Sequence, residues 1–225
     1  MRLNFRSGMP PRALWSIVFS ALVVSVAAMS LANAQSLQDA WRAALAGDLT
    51  TIQSLVERGN SPDTSDAEGS TLLMLAARSG HAQVVAYLIS QKASVNGRNK
   101  FGDTALMAAA LGGHVEAGKV LLAHGAEING AGWTPLHYAA FEGRTGLVKF
   151  LMENGADKNA IAPNEYTPLM LAVRNGHEEA ARALLYGDPD VNYKTHSNGD
   201  TALKLAQQKG YEPVVILLKR AGAVE

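Results

Sequence analysis

The chain contains 225 residues, of which 48% are apolar and 18% charged, and its 20 basic residues balance its 20 acidic ones. This composition is typical of a globular protein and excludes a disordered or collagen-like chain. The sequence holds zero cysteines, which excludes disulfides, thiolate zinc sites and thiol nucleophiles, and it offers no concentrated basic face for nucleic acid.

The N-terminal segment, up to Ala34, has the organisation of an export signal. A stretch with three arginines and no acidic residue precedes the apolar run Ala13–Val26, which is followed by Ala32-Asn33-Ala34. A signal peptidase needs small residues at such a site, so we predict a signal peptide over residues 1–34. We expect the mature protein in the periplasm, with secretion as the second choice.

The same segment allows a second interpretation. Residues 13–31 form a largely apolar stretch that contains several serines, and about 20 apolar residues suffice to cross a bilayer. If this stretch stays uncleaved, it tethers the protein to the membrane. We expect membrane association only in that case.

A sequence repeat organises the rest of the chain. Five threonines precede apolar stretches at nearly equal intervals, at Thr71, Thr104, Thr134, Thr167 and Thr201. A glycine follows each threonine at one constant distance, at Gly80, Gly113, Gly143, Gly176 and Gly210. Gly47 lies one such interval before Gly80 and marks a first, incomplete unit. Such a fixed period is typical of solenoid proteins.

The residues within one period predict two short helices and a turn. Thr134 is followed by Pro135, and this pair favours a helix start because the hydroxyl caps a free N–H while proline has none to leave unpaired. An alanine-rich first helix ends at the glycine, and a second helix with apolar residues about a turn apart follows. Such a unit buries its apolar side only against its neighbours. We therefore predict an all-α solenoid over residues 35–225, with six units at about 37–65, 66–98, 99–130, 131–160, 161–193 and 194–225.

The fourth unit carries a family resemblance. The run Gly132-Trp133-Thr134-Pro135-Leu136-His137-Tyr138-Ala139-Ala140-Phe141-Glu142-Gly143 resembles the ankyrin-repeat motif Gly-x-Thr-Pro-Leu-His-x-Ala-Ala-x-x-Gly, which recurs in register from about Leu37 onward. The resemblance implies units of two antiparallel helices, hairpin fingers between them, and a concave protein-binding face. The chain is also similar to exported bacterial ankyrin-repeat proteins, some of which are associated with protection against peroxide stress.

Some positions depart from the motif. Lys92, Glu165 and Asp188 stand where other units have glycine, so we predict a left-handed backbone there, at a cost of about 1 kcal/mol each. The link between Asn129 and Thr134 is three residues shorter than its counterparts. We therefore expect a clipped finger beside the ring of Trp133.

The histidines do not form a pattern that indicates catalysis or metal binding. His81, His114 and His177 each follow the inter-helix glycine, and stacked helices lie about 8 to 10 Å apart, whereas zinc binds nitrogen at about 2 Å. We predict that these three bond between adjacent loops, and the resemblance implies that His137 bonds the hydroxyl of Thr134. We expect no catalytic residue, metal or cofactor.

The positions that the fold does not need lie in the fingers and just before the inter-helix glycine, and in ankyrin-like stacks they line the concave face. Aromatic and arginine residues dominate interface hot spots. The set predicted to bind a partner contains Arg78, Phe101, Asp103, Leu111, Trp133, Phe141, Glu142, Tyr166, Arg174 and Asn175. The alternative is that Trp133 and Tyr166 merely pack on neighbouring finger backbone.

These observations predict a monomeric interaction module of the cell envelope that binds another protein. A membrane-tethered structural scaffold is the alternative if residues 13–31 remain attached. An enzyme would require a bound ion or cofactor, and a role in peroxide protection is implied only by the resemblance.

Overall fold

The computed structural model describes residues 35–224, which form twelve helices. The helices are α1 (35–46), α2 (Leu49–Glu57), α3 (Leu72–Arg78), α4 (Ala82–Ser90), α5 (Ala105–Gly112), α6 (Val115–Ala123), α7 (Pro135–Phe141), α8 (Thr145–Glu153), α9 (Pro168–Arg174), α10 (Glu178–Leu185), α11 (Ala202–Lys209) and α12 (Glu212–Arg220). The predicted signal peptide lies outside the described residues. Within residues 35–224, no helix has the length and apolar character needed to cross a bilayer.

The repeated threonines begin the first helix of their units, as the sequence predicts. In all five cases, the side-chain oxygen accepts a hydrogen bond of 3.1 to 3.4 Å from the backbone N–H three residues later. Pro135 and Pro168 occupy the first helical position, where the missing N–H costs nothing. The period of the sequence is therefore the period of the helix starts.

The glycine between the two helices of a unit is required for two reasons. Its φ lies between 66° and 83° at Gly47, Gly80, Gly113, Gly143, Gly176 and Gly210, a left-handed conformation that disfavours other residues. It also lets the next unit approach, because a Cβ at Gly80 would lie 2.5 Å from Nδ1 of His114. The loops of successive units are thus in direct contact.

The helices stack in two rows, with α3, α5, α7, α9 and α11 in the first and α2, α4, α6, α8, α10 and α12 in the second. The first row packs more closely, since its buried side chains include many alanines, such as Ala76, Ala109 and Ala139. The second row buries larger side chains, such as Leu88 and Leu121. The stack therefore curves toward the first row, which we call the inner helices.

Asparagines connect the fingers that project between units. The side-chain oxygens of Asn96, Asn129 and Asn159 each accept a hydrogen bond of 2.8 Å from a backbone N–H of the following unit. Asn96 and Asn129 also donate to glycine carbonyls of that unit at 2.9 Å. These bonds fix the spacing of neighbouring fingers.

The non-glycine departures have the expected backbone. Lys92, Glu165 and Asp188 adopt positive φ values of 72°, 64° and 54°. Residues 131–133 form bends, whereas the corresponding segments of the other fingers contain tight turns. The shorter link thus changes the finger that carries Trp133.

Candidate functional site

All ten residues predicted to bind a partner lie on the concave side, in two strips. Arg78, Leu111, Phe141, Glu142, Arg174 and Asn175 lie at the C-terminal ends of inner helices, and Phe101, Asp103, Trp133 and Tyr166 lie in fingers. The helix ends and the fingers border the same groove, since Trp133 contacts Phe141, Arg174 lies over Tyr166, and one cavity is lined by residues of both strips. We call this surface the inner face.

Three aromatic rings of the fourth unit form a cluster on the inner face. The Trp133 ring lies 5.5 Å from the Tyr138 ring and 6.4 Å from the Phe141 ring, measured between centroids, and it meets the His137 ring edge-on at 5.7 Å. Such edge and tilted contacts are favourable for aromatic pairs. Trp133 is half-buried by these contacts, whereas Phe141 remains 40% exposed.

Phe101 stands apart from this cluster as an exposed ring on an ordered finger. Its backbone N–H donates to the Asn99 side chain at 2.9 Å, and the backbone N–H of Asp103 donates to the same oxygen at 2.9 Å. The finger is therefore held by its own hydrogen bonds, but the Phe101 ring is 75% exposed. Nothing in the packing of the fold requires an aromatic ring at that place.

Tyr138 also belongs to the inner face, although it is absent from the set predicted from the sequence. Its hydroxyl donates to Oδ1 of Asp103, in the preceding unit, at 2.5 Å. Burial and the neighbouring Asp103 carboxylate raise the pKa of Tyr138 well above its usual value. The position four residues after the capping threonine holds Leu75, Ala108 or Leu171 in other units. The change to tyrosine at this position is the sequence signal that could have identified Tyr138 as part of the inner face.

Tyr166 is bound into the structure more firmly than an exposed finger residue would be. Its hydroxyl donates to Oδ2 of Asp200 in the next unit at 3.1 Å, and the guanidinium carbon of Arg174 lies 5.3 Å from the ring centroid. Both contacts are favourable, the second through the negative face of the ring. Tyr166 and Arg174 are thus already in contact with each other on the inner face.

The ends of the inner helices are tied to the loops of the neighbouring units. The Phe141 carbonyl accepts hydrogen bonds from Asn175 Nδ2 at 2.8 Å and from His177 Nε2 at 2.9 Å, and Glu142 pairs with Arg144 at 3.7 Å. Asn175 therefore has a structural role besides any contact with a partner. The backbone that presents the Phe141 ring is fixed.

A family model for ankyrin repeats, in three overlapping copies, matches residues 40–130, 91–162 and 158–224. The chain belongs to the ankyrin-repeat family. The crystal structure of the human ASB11 ankyrin repeat domain has the same fold, with a TM-score of 0.76 and 26% identity, over 82% of this chain and 84% of that one. The all-α solenoid with hairpin fingers is thereby confirmed.

Curated relatives share only part of their length with this chain. E3 ubiquitin-protein ligase XBAT33 of Arabidopsis thaliana is 38% identical over 85 residues, which is 38% of this chain and 17% of that protein. Target of rapamycin complex 2 subunit AVO2 of Saccharomyces cerevisiae is 31% identical over 94 residues, 41% of this chain and 22% of that protein. The chain thus spans less than a quarter of either relative. Ankyrin repeats are protein–protein interaction modules.

Two of the three histidines predicted to bond between adjacent loops do so, and the third, His114, lies against Gly80 of the preceding unit. His81 and His177 donate from Nε2 to the carbonyls of Leu45 and Phe141, in the preceding units, at 2.8 and 2.9 Å. Arg144 stands at the same repeat position and donates from Nε to the Leu111 carbonyl at 3.1 Å. The part of the chain that the structure describes contains no group of three or more His, Asp or Glu side chains placed to hold a metal ion.

His137 is the buried exception among the histidines. Its Nδ1 accepts from the Thr134 amide at 3.1 Å and lies 2.8 Å from the Thr134 hydroxyl, and its Nε2 faces the carbonyls of Ala160 and Tyr166 at 3.1 and 3.2 Å. These partners require a neutral ring that carries its proton on Nε2. Burial lowers the pKa of His137 to about 4, so the ring is neutral at physiological pH.

Proposed function

We propose that this ankyrin stack is a non-catalytic, monomeric module that binds a partner protein on its inner face. The observation that carries this proposal is the exposure of Phe101 and Phe141, at 75% and 40%, on backbone that is fixed by hydrogen bonds. Aromatic side chains presented on a rigid support lose little conformational entropy when they are buried by a partner. They are also the residue type most often found in interface hot spots.

Trp133 supports this surface rather than forming its most accessible part. Because it contacts three neighbouring rings, its removal would change both the packing of the fourth unit and the shape of the inner face. Phe141 and Phe101 are therefore the sharper probes of binding. Phe101 can be truncated with little loss of buried surface, and Phe141 is more exposed than Trp133.

The test is capture of partner proteins from an envelope extract by wild type, Phe101→Ala and Phe141→Ala. Tyr186→Ala is the matched control, since Tyr186 is 86% exposed at the end of α10, in the second row of helices. We expect the inner-face variants to retain less than about a tenth of the captured partner, because a hot-spot truncation costs at least about 2 kcal/mol. Equal capture by all four proteins would contradict the proposal.

We also propose that the module acts in the cell envelope, in the periplasm after cleavage behind Ala34. The support is the sequence of residues 1–34, with its basic start, apolar run and Ala32-Asn33-Ala34 site. The alternative is a scaffold tethered through residues 13–31. The intact mass of the protein from a periplasmic extract distinguishes the two, because cleavage gives a chain that starts at Gln35, whereas the tethered form stays whole in the membrane fraction.

A further inference from the structure

A cavity opens on the inner face between α3 and α5. Its walls are mostly apolar and include Met74, Leu75, Met107 and Leu111, while Arg78 and Asp103 bring one charge of each sign to it. Ser70, on the finger between the first and second units, also lines the cavity. The cavity lies one unit away from the aromatic cluster, and Tyr138 lines both.

Three residues of this cavity, Ser70, Arg78 and Asp103, form a set that we call the frame. The repeat contains a second copy of this frame. Ser70 and Tyr166 each directly precede a capping threonine, Arg78 and Arg174 each follow that threonine by seven residues, and Asp103 and Asp200 each precede the next one. In the second copy, Tyr166 lies under Arg174 and donates to Asp200. A tyrosine held between an arginine and an aspartate is therefore an arrangement that this fold already forms.

In the first copy, Ser70 occupies the position of Tyr166, and the cavity takes the place of the tyrosine ring. Arg78 is exposed there, and within residues 35–224 it has no ring contact like the one between Arg174 and Tyr166. Asp103 uses Oδ1 for the Tyr138 hydroxyl, but Oδ2 has only a long contact of 3.4 Å to Asn99 Nδ2. Since a carboxylate oxygen offers two acceptor sites, Asp103 can accept another donor.

We propose that this cavity binds a tyrosine side chain of the partner protein, with its ring under Arg78 and its hydroxyl donating to Asp103. This inference rests on the proposed function of the inner face. The apolar walls suit the ring, and the acceptor on Asp103 favours tyrosine over phenylalanine. A lysine would face the positive charge of Arg78. In the second copy, Lys204 pairs with Asp200 at 3.1 Å, whereas the equivalent position in the first copy is occupied by Met107. A phosphotyrosine would place its negative charge against Asp103.

The experiment uses full-length protein with isotopically labelled methionine methyl groups and follows them by NMR. The probes are four blocked tripeptides, acetyl-Gly-X-Gly-amide, in which X is tyrosine, phenylalanine, phosphotyrosine or lysine. A ring in the cavity shifts the methyl signals of Met74 and Met107, which line it, and leaves those of Met152 and Met170 in place. We expect the tyrosine probe to bind at least about tenfold more tightly than the phenylalanine probe, because it adds a hydrogen bond to a charged acceptor.

Variants locate the binding. Ser70→Tyr fills the cavity with the chain's own ring, as Tyr166 does, and should abolish the shifts. Asp103→Ala, which removes the acceptor, should reduce the tyrosine probe to the affinity of the phenylalanine probe, which keeps the test decisive if Ser70→Tyr does not fold. Arg78→Ala should weaken binding about two- to fivefold, whereas Lys149→Ala, which removes an exposed charge on α8, should leave it unchanged.

Equal binding of tyrosine and phenylalanine, tighter binding of lysine or phosphotyrosine, or shifts that persist in Ser70→Tyr would each overturn the proposal. So would a tyrosine probe that leaves Met74 and Met107 unshifted. These results are independent of partner capture by Phe101 and Phe141. If capture still depends on those two rings, the inner face binds a partner and only the tyrosine assignment is wrong.

Discussion

Replacing His137 by methionine should remove a defined part of the pH dependence of stability. His137 is completely buried and neutral in the folded state, with a pKa of about 4 against an ordinary value of 6.5. Methionine is the residue at this repeat position in three other units, and in two of them its sulfur accepts from the threonine amide, at 3.5 Å for Met74 and 3.4 Å for Met107. His137→Met is therefore a change that the fold already accommodates.

The sign follows from where the proton binds. Between pH 6.5 and pH 4 the unfolded chain takes up a proton on His137, while the folded chain excludes it, so the stability contributed by the neutral ring is full above pH 6.5 and is lost as the pH falls toward 4. Each pKa unit corresponds to about 1.4 kcal/mol. The wild type should thus lose about 3 kcal/mol over this range that His137→Met does not lose.

At pH 7 the variant should be less stable by about 1 to 3 kcal/mol, since the carbonyls of Ala160 and Tyr166 lose the Nε2 donor. Urea unfolding at a series of pH values, followed by circular dichroism and tryptophan fluorescence together, gives the difference in unfolding free energy between the two proteins. We expect the stability of the wild type relative to His137→Met to fall by about 3 kcal/mol between pH 7 and pH 4, so that at pH 4 the variant is as stable as the wild type or more stable. A difference that stays constant over this range would refute the account of His137.

Other substitutions test the repeat by the same urea measurement. Thr134→Ala should cost about 1 to 2 kcal/mol, because it removes the cap of α7; an unchanged midpoint would show that proline alone starts the helix. Lys92→Gly should stabilise the protein by about 0.5 to 1 kcal/mol, because φ is 72° there, and a loss of stability would mean that the Lys92 side chain contributes more than its backbone costs. Gly143→Ala should cost about 2 to 4 kcal/mol, since its Cβ would lie 2.5 Å from the His177 ring at a positive φ. Its control, Gly146→Ala in α8, has only an ordinary contact of 3.8 Å and should gain about 0.5 to 1 kcal/mol; equal effects of the two glycine changes would contradict the stacking geometry.

The sequence predicts most of the fold because the features that repeat are local. A capping threonine and a left-handed glycine act within one turn of their own position, so Thr71 and Gly80 can be recognised without any distant contact. The regular spacing of the repeat also predicts the backbone of residues that depart from the motif. Lys92 is predicted to be left-handed only because glycine stands at that position in other units. Partner binding, export and domain boundaries do not follow from local chemistry, and they remain proposals.

The inner face is less accessible to prediction because its contacts cross between units. Asp103 and Tyr138 are 35 residues apart, so the period places them in neighbouring units, but it does not say that the phenol points back toward the preceding finger. The sequence places Tyr166 with Phe101 in the set predicted to bind a partner, with packing on finger backbone as the alternative, and the structure pairs it with Asp200 and Arg174. Residue type alone could not separate a ring that is already bound from one that is free.

In a repeat protein, equivalent positions of different units can be compared to tell a ring that is already bound from a site that is free. Each unit must satisfy only its neighbours, so a position that faces the groove can change without disturbing the stack. Where Tyr166 lies between Arg174 and Asp200, the polar groups are satisfied within the chain. Where Ser70 replaces that ring, the same arginine and aspartate frame lines a cavity with apolar walls. The second copy shows that the backbone tolerates a tyrosine in this frame. A partner that supplies a tyrosine to the first copy therefore needs no rearrangement of the stack, and the entropy cost of binding falls mainly on the partner.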